Sequence, residues 1–427
     1  MPQVAGEIRS AAFLFNGRYH VLIESDGGGH SAYEGHLLTP ELGMGTCLYV
    51  EDVEAGRIWT AGSKAVPAES ASYRFGSGPG AYRMRRTEEP VRVTTDVCVV
   101  PNRDAELRRY TVSNRSDQSR VVRLTWMTVV ESGGVPVVTE RVDDGVMAVR
   151  RVPKGGEIYW LHGLVRPRGA LRAVETNGSS FFGPEWSHER PPGLEEGLSD
   201  ETGSGEDAVL GLQTEAEIEP NAEQTFTLAC SAARSRRAVE SAVTALANPQ
   251  VVDDAFLEAA LNEQRARDGL KLDPKTAARF HAVAAAMLRG SLRGEHLDLS
   301  TEDEIIAEAA ARLGLDPERL LVVCRVSDES ELDVAKTALK AKAFWSTLGL
   351  PVQLLILNAM EGPGANALQQ KLHESVELDD ASERDILLRH ADVVTPADQK
   401  AVQAAAQLIL TRDRVGLLRG DVDIPSG

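Results

Sequence analysis

Between about residue 8 and residue 230, apolar and polar residues alternate in short runs separated by turn clusters. Near Ser231 the period becomes helical. This change limits the possible folds more than any composition figure. Period-two runs bury one face of a sheet, and period-3.6 runs bury one stripe of a helix. VRVTTDVCVV (Val91 to Val100), LRRYTVSN (Leu107 to Asn114) and RVVRLTWMTVV (Arg120 to Val130) are β-branched and alternating, as strands require. Pro101-Asn102-Arg103-Asp104 and Asn114-Arg115-Ser116-Asp117 supply turns, because Asn and Asp side chains bond their own backbone. Two later strands, AVLGLQTEAEI and QTFTLACSAA, set Leu210, Leu212, Phe226, Leu228 and Cys230 on alternate positions. Many antiparallel strands joined by short turns predict a large β-sandwich. Pro191 to Asp207 is rich in Pro, Gly, Ser, Glu and Asp, and is expected to be a solvated, mobile excursion.

Beyond Ser231 come RSRRAVESAVTALAN, which runs into Pro249, then VVDDAFLEAALNEQRARDGL, and a helix with Asp273 as N-cap, Pro274 at N1 and Gly290 as its stop. Ser300 or Thr301 caps another helix that ends at Gly314. From Leu320 a third pattern begins: the apolar strands LLVVCRV, VQLLILN and DILLRHADVV alternate with helices, the last opened by Thr395-Pro396. Strands buried on both faces predict a small parallel three-stranded α/β unit with right-handed crossovers. The expected organisation is a β super-sandwich over 1–232, a helical linker over 233–318 and a small α/β domain over 319–427.

A chain of 427 residues is too long for one ordinary core. The net charge of −18 argues against a nucleic-acid surface, which needs clustered Lys and Arg. Cys47, Cys98, Cys230 and Cys324 are far apart, and three lie in apolar strand-like runs. They read as buried free thiols of a reducing compartment, with neither zinc spacing nor a disulfide framework. No basic-then-apolar leader opens the chain, and no apolar run approaches the ~18–20 residues that span a bilayer. The expected compartment is the cytoplasm.

Each chemical motif has a plainer reading. Gly27-Gly28-Gly29 lacks phosphate-loop spacing and precedes no helix, so it reads as a tight turn. His30 and His36 are the closest histidine pair, with no companion ligands, and no metal or cofactor is expected. Glycosidic chemistry needs two carboxyls facing each other across a sugar, ~5–10 Å apart. Asp143-Asp144, Asp253-Asp254 and Glu195-Glu196 are merely adjacent, and no catalytic acid is assigned. Aromatics are few, with five Trp, seven Tyr and nine Phe, so their positions carry information. Sugars stack their C–H faces on rings while polar neighbours take the hydroxyls. Tyr19, Tyr33, Trp59 and Trp186 lie in or beside turn-rich segments, and with Arg18 they are the carbohydrate-contact candidates. Trp345, inside KAFWSTLG, is expected to pack on the α/β sheet.

Several stretches, taken in order, also resemble one family. They are NGRYHVLIESDGGGHS, GTCLYVEDVEAGRIWTAG, ELRRYTVSNRSDQSRVVRLT, FFGPEWSHER and ALKAKAFWSTLGLPVQLLILN. Together they are similar to the β super-sandwich region of cellobiose-phosphorylase-type enzymes and bacterial cyclic β-1,2-glucan synthases. The last stretch brings the chain nearer the synthases. His30 stands where the family usually has an aromatic, and the acidic excursion departs from its pattern. The resemblance implies a super-sandwich, a helical linker and then a catalytic α/α barrel. Twelve helices with their connections need roughly 190 residues, more than follow Ser231 once the α/β strands are set aside. The expected role is therefore a non-catalytic carbohydrate-associated module that binds or guides β-glucan oligosaccharide, or braces a barrel supplied in cis or in trans. The alternative is a structural module that docks another domain, or forms a homo-oligomer, without binding sugar. The synthase resemblance further implies a parent protein associated with the inner membrane.

Overall fold

A computed structural model of the chain describes residues 11–41, 43–69, 72–78, 80–152, 155–167, 169–288, 303–317, 319–377 and 385–421. Described residues up to 263 form one compact unit, and those from 264 onward form another.

The first unit holds three antiparallel sheets. A four-stranded sheet is made of Ala12–Phe15, Tyr19–Ile23, Gly29–Tyr33 and His36–Leu37. A five-stranded sheet runs in the order Ala173–Asn177, Ala208–Ile218, Arg120–Val129, Thr46–Asp52, Arg57–Thr60. A nine-stranded sheet begins with Ser204–Gly205, Val137–Val142, Gly145–Arg151 and Glu157–Arg166. It continues through Glu223–Ala233, Ala105–Asn114, Val91–Val99 and Ala81–Glu88 to Tyr73–Gly78. All three share one core. The alternation read from sequence explains it: Val91, Val93, Val97 and Val99 point inward with Tyr110 and Val112. Trp126 lies between the larger sheets, its ring 5.7 Å from Tyr110 and 6.2 Å from Phe226.

The opposite parity is also used. Cys98, Val100, Leu107 and Ala229 pack against Leu246, Val252, Ala255 and Ala259 of the helices Arg236–Leu246 and Pro249–Gly269. Arg109 pairs with Asp253 at 2.6 Å and its guanidinium stands 4.5 Å from the Phe256 ring centre. These helices cover the sheet, and the two compact units divide at residues 263 and 264, inside the second helix.

The acidic excursion is exposed over 199–204, as a solvated segment is expected to be, but it is tied to the neighbouring strands rather than loose. Asp200 accepts the Val174 N–H at 3.1 Å and pairs with Arg141. Glu175 is buried, and its carboxylate takes N–H groups from Thr176, Asn177 and Ser199. A buried carboxylate needs such donors; the excursion supplies one, which composition cannot show.

The second unit has a parallel sheet in the order Ile386–His390, Val352–Asn358, Leu320–Val326, Leu408–Leu410. It has four strands where three were expected, since Leu408–Leu410 is too short to display a period. Trp345 is buried as predicted and donates its indole N–H to the Phe280 carbonyl at 2.9 Å. Asp273 accepts the Lys275 and Thr276 N–H groups as an N-cap, and Thr395 with Asp398 forms a capping box. Gly290, Ser300 and Thr301 lie outside the described residues. Cys98, Cys230 and Cys324 are buried free thiols, whereas Cys47 is half-buried. Among the described residues no helix is long and apolar enough to cross a membrane.

Candidate functional site

Strand parity, rather than nearness to a turn, decides where the candidate residues go. Tyr19 shares the inward face of Tyr19–Ile23 with Val21 and Ile23, and Trp59 shares that of Arg57–Thr60 opposite Val50. Both are buried in the sandwich core, so neither of these two carbohydrate-contact candidates presents its ring to solvent. Tyr33, opposite Tyr19 in register, is buried too, but its hydroxyl accepts a hydrogen bond from Arg18 at 2.5 Å. Arg18 also pairs with Glu34 at 2.5 Å and Asp104 at 3.0 Å, and Arg234 pairs with Glu34 at 2.9 Å. Burial, with Asp104 and Glu34 near, pushes the Tyr33 hydroxyl up to about 12. Arg18 is thus committed to a knot joining the four-stranded sheet to the Ala105–Asn114 region.

Trp186 is different. Asn177 caps the short helix Gly178–Phe182 by accepting the Ser180 N–H at 2.9 Å, and Gly183 ends it at φ +72°. The chain turns back with Trp186 at φ +49°, an uncommon conformation for a bulky residue. Its ring stacks on Phe182 with centroids 5.0 Å apart and planes 21° apart. His188 meets Phe182 edge-on at 4.7 Å, and Phe182 meets Phe181 edge-on at 4.9 Å. Phe181 leans on Tyr49 at 5.8 Å, and the Tyr49 hydroxyl donates to the His188 carbonyl at 2.8 Å. Gly178 makes room for the indole, since a Cβ there would lie 2.6 Å from the Trp186 ring. The ladder runs from fully buried Phe181 out to half-buried Trp186. Burial lowers the His188 pKa, and its Nδ1 has no hydrogen-bond partner. A half-exposed ring held rigidly from behind is a platform suited to the C–H face of a sugar. Of the five candidates, only Trp186 offers such a surface.

A second constellation escaped the sequence reading. Glu106, Cys230 and His162 lie directly opposite one another on adjacent strands of the nine-stranded sheet, facing the core. Thiol, imidazole and carboxylate in a row resemble a nucleophilic triad. Burial removes the chemistry. It pushes the Cys230 thiol well up and pulls His162 down to about 3, so neither a thiolate nor an imidazolium forms at neutral pH. Glu106 is spent on Arg108 at 3.2 Å and the Ser31 hydroxyl at 3.3 Å. The signal was present in AELRRYTVSN, where Glu106 and Arg108 occupy the same parity as Tyr110 and Val112.

This interior has a pH consequence. His20 is likewise pulled down by burial to about 3. Between that value and 6.5 the unfolded imidazoles bind protons that the folded ones refuse, so stability falls as pH falls through this window. Each histidine is expected to cost about 1.4 kcal/mol per pH unit below 6.5. Urea midpoints at pH 7.5 and 5.5 check it: His162→Gln should flatten the slope, and an unchanged slope would mean that His162 is protonated in the folded state.

A recess of about 500 Å³ lies between the Asp143-Asp144 turn, the Glu157–Arg166 strand and the Arg236–Leu246 helix. Its arginines are engaged, Arg236 with Glu140 and Glu240, Arg141 with Asp200. Asp144 accepts the Gly169 N–H at 3.0 Å, so this carboxylate ties a loop. The Gly27-Gly28-Gly29 segment leads into the strand Gly29–Tyr33, as a turn would. Among the described residues no group of three or more His, Cys, Asp or Glu is placed to hold a metal.

Residues 5–249 match the family described as the glycosyl hydrolase 94 supersandwich domain. A cyclic β-(1,2)-glucan synthase, NdvB of Rhizobium meliloti (strain 1021), is 21% identical over 447 aligned positions, covering 94% of this chain. The chain spans 15% of that relative's length. Two solved structures with partial likeness are a bacterial glucoamylase complexed with acarbose and a putative kojibiose phosphorylase from the human microbiome. The first has a TM-score of 0.44 at 9% identity, over 68% of this chain and 42% of that one. The second has a TM-score of 0.36 at 8% identity, over 66% and 39% respectively.

Proposed function

The chain belongs to the glycosyl hydrolase 94 supersandwich family, and on that premise we propose that it contacts β-glucan through the Trp186 platform and works by binding rather than by turnover. The observation that carries this reading is the stack of Trp186 on Phe182, which fixes a half-buried ring in place. A ring already fixed in place loses little freedom when a sugar settles on it. Linkage preference for β-1,2-glucan is supported by the glucan synthase relative. Tyr33 and Arg18 stay peripheral in this proposal, because their polar atoms already serve the Glu34 and Asp104 knot.

The test is a titration of the full chain with linear and cyclic β-1,2-glucans, read by calorimetry and by the indole N–H resonance of Trp186. Millimolar binding is expected, and Trp186→Ala should weaken it about tenfold, the worth of one aromatic contact. Equal binding by the variant would remove Trp186 from the site. No heat and no shift at millimolar glucan would leave the bracing role, which the exposed Leu257 and Leu261, one turn apart on the Pro249–Gly269 helix, support.

A further inference from the structure

One edge of the nine-stranded sheet is positive, in a chain of net charge −18. Arg74 on Tyr73–Gly78 stands directly opposite Arg85 on Ala81–Glu88. Arg92, on the next strand, faces Thr87 and is therefore diagonal to Arg85 on the same side. Like charges directly opposite on paired strands repel and destabilise. Among the described residues the side chains of Arg74, Arg85 and Arg92 have neither an ion pair nor a hydrogen bond, and the Arg92 Nε is shut off from solvent without a partner. Neighbouring arginines are committed: Arg83 to Asp96 at 2.5 Å and Arg115 to Glu89 at 2.6 Å.

Two recesses meet at these side chains. One, of about 460 Å³, is lined by Ser72, Thr87, Arg92 and Arg115 together with Arg74 and Arg85, and its carboxylates are Glu69 and Glu89. The other, of about 480 Å³, shares Arg74 and Arg85 and is otherwise mainly apolar, with Phe75, Gly76, Gly78 and Ala81. Phe75 is 38% exposed, and a Cβ at Gly76 would meet nothing within 4 Å. Tyr73–Gly78 is also the last strand of its sheet, paired on one side by Ala81–Glu88. Among the described residues no strand pairs with its other side, which presents a row of backbone donors and acceptors, a template for an added strand.

We propose that this edge takes an acidic polypeptide segment of a partner protein, added as a strand along Tyr73–Gly78. The carboxylate opposite Arg74 would sit against Arg74 with Arg85 behind it, Arg92 would add its charge from two strands further in, and an apolar side chain on the other face of the added strand would sit beside Phe75. Three features point to the same occupant. A strand sends every second side chain to one face, so its glutamates lie on the side of the positive Arg74 and Arg85 pair while the backbone pairs with the edge. A free oxyanion uses the arginines but leaves the edge and Phe75 idle. An anionic lipid surface likewise has no use for unpaired backbone groups.

The probe is a fluorescein-labelled peptide of alternating Glu and Val ending in Phe, titrated with the full chain at low salt and followed by polarisation. Saturable binding is expected, falling with added salt. The triple variant Arg74→Ala, Arg85→Ala, Arg92→Ala should weaken it about tenfold, because it removes the direct contact at Arg74 together with the positive field behind it. One of the two alternate backbone N-methylation registers of the peptide should abolish binding, because those amides pair with the edge. The triple variant alters exposed or half-exposed side chains, and circular dichroism checks that it folds. The proposal is overturned by equal binding of wild type and triple variant, by indifference to both N-methylation registers, or by no saturable binding. It is overturned equally if vesicles of anionic phospholipid, but not the peptide, bind in an arginine-dependent way.

Discussion

Glu106→Ala is expected to destabilise the sandwich by about 3–5 kcal/mol, because it strands a buried guanidinium. Glu106 is fully buried, Arg108 is 2% exposed, and their side chains lie 3.2 Å apart. Besides Glu106, Arg108 has among the described residues only a 3.4 Å hydrogen bond to the Thr46 carbonyl, and its Nε has no partner there. The guanidinium cannot shed its proton at any ordinary pH, so the loss cannot be relieved by neutralisation. The double variant Glu106→Leu, Arg108→Met should cost less than the single one, because two apolar side chains of similar volume leave no orphan charge. Urea midpoints and slopes read by tryptophan fluorescence separate the two, since a common slope licenses the comparison. A single variant costing under about 1 kcal/mol would mean that Arg108 escapes to water, and the pair would then not be an internal one.

Gly29→Ala is expected to cost on the order of 3 kcal/mol, combining a left-handed backbone with a collision. Gly29 sits at φ +131°, where a side chain is disfavoured, and a Cβ would lie 2.0 Å from the Leu22 carbonyl oxygen. That oxygen belongs to a strand neighbouring Gly29–Tyr33 and cannot swing aside as the tip of a flexible side chain would. The surrounding turn is equally tight. Asp26 accepts N–H groups from Ser63 and Lys64 through its carbonyl, and Gly29 donates to the Gly43 carbonyl at 3.1 Å. Gly56→Ala is the control, since Gly56 shares a positive φ of +59° but has nothing within 4 Å of a Cβ. It should lose only about 1 kcal/mol. Equal losses at both positions would show that conformation alone, without the collision, sets the cost.

Architecture was legible in the sequence because both periods are strong and long. The switch near Ser231 falls where the Glu223–Ala233 strand gives way to the Arg236–Leu246 helix, and each apolar parity found its core. Side-chain destination near turns was not legible. Tyr19 and Trp59 were read by their neighbourhood, whereas the strand's parity sends them inward. The excursion around Asp200 was read by composition, which cannot see that Glu175, more than twenty residues earlier, needs its amide donors. Trp186 was found by its rarity and its motif, but its stacking partner Phe182 emerged only with the loop's geometry. The arginine edge was invisible because Arg74, Arg85 and Arg92 converge only through register across three strands.

The place of Glu223–Ala233 in the nine-stranded sheet sets an order of events during synthesis. This strand pairs on one side with Ala105–Asn114 and on the other with Glu157–Arg166. Until it leaves the ribosome, the two halves of that sheet are separate ribbons, each ending in a long, uncovered edge. Closing them requires contacts across more than one hundred residues of chain, which makes closure slow. A nascent chain paused before residue 223 therefore exposes two sticky edges at once, and is at its most vulnerable to association with other unfinished chains.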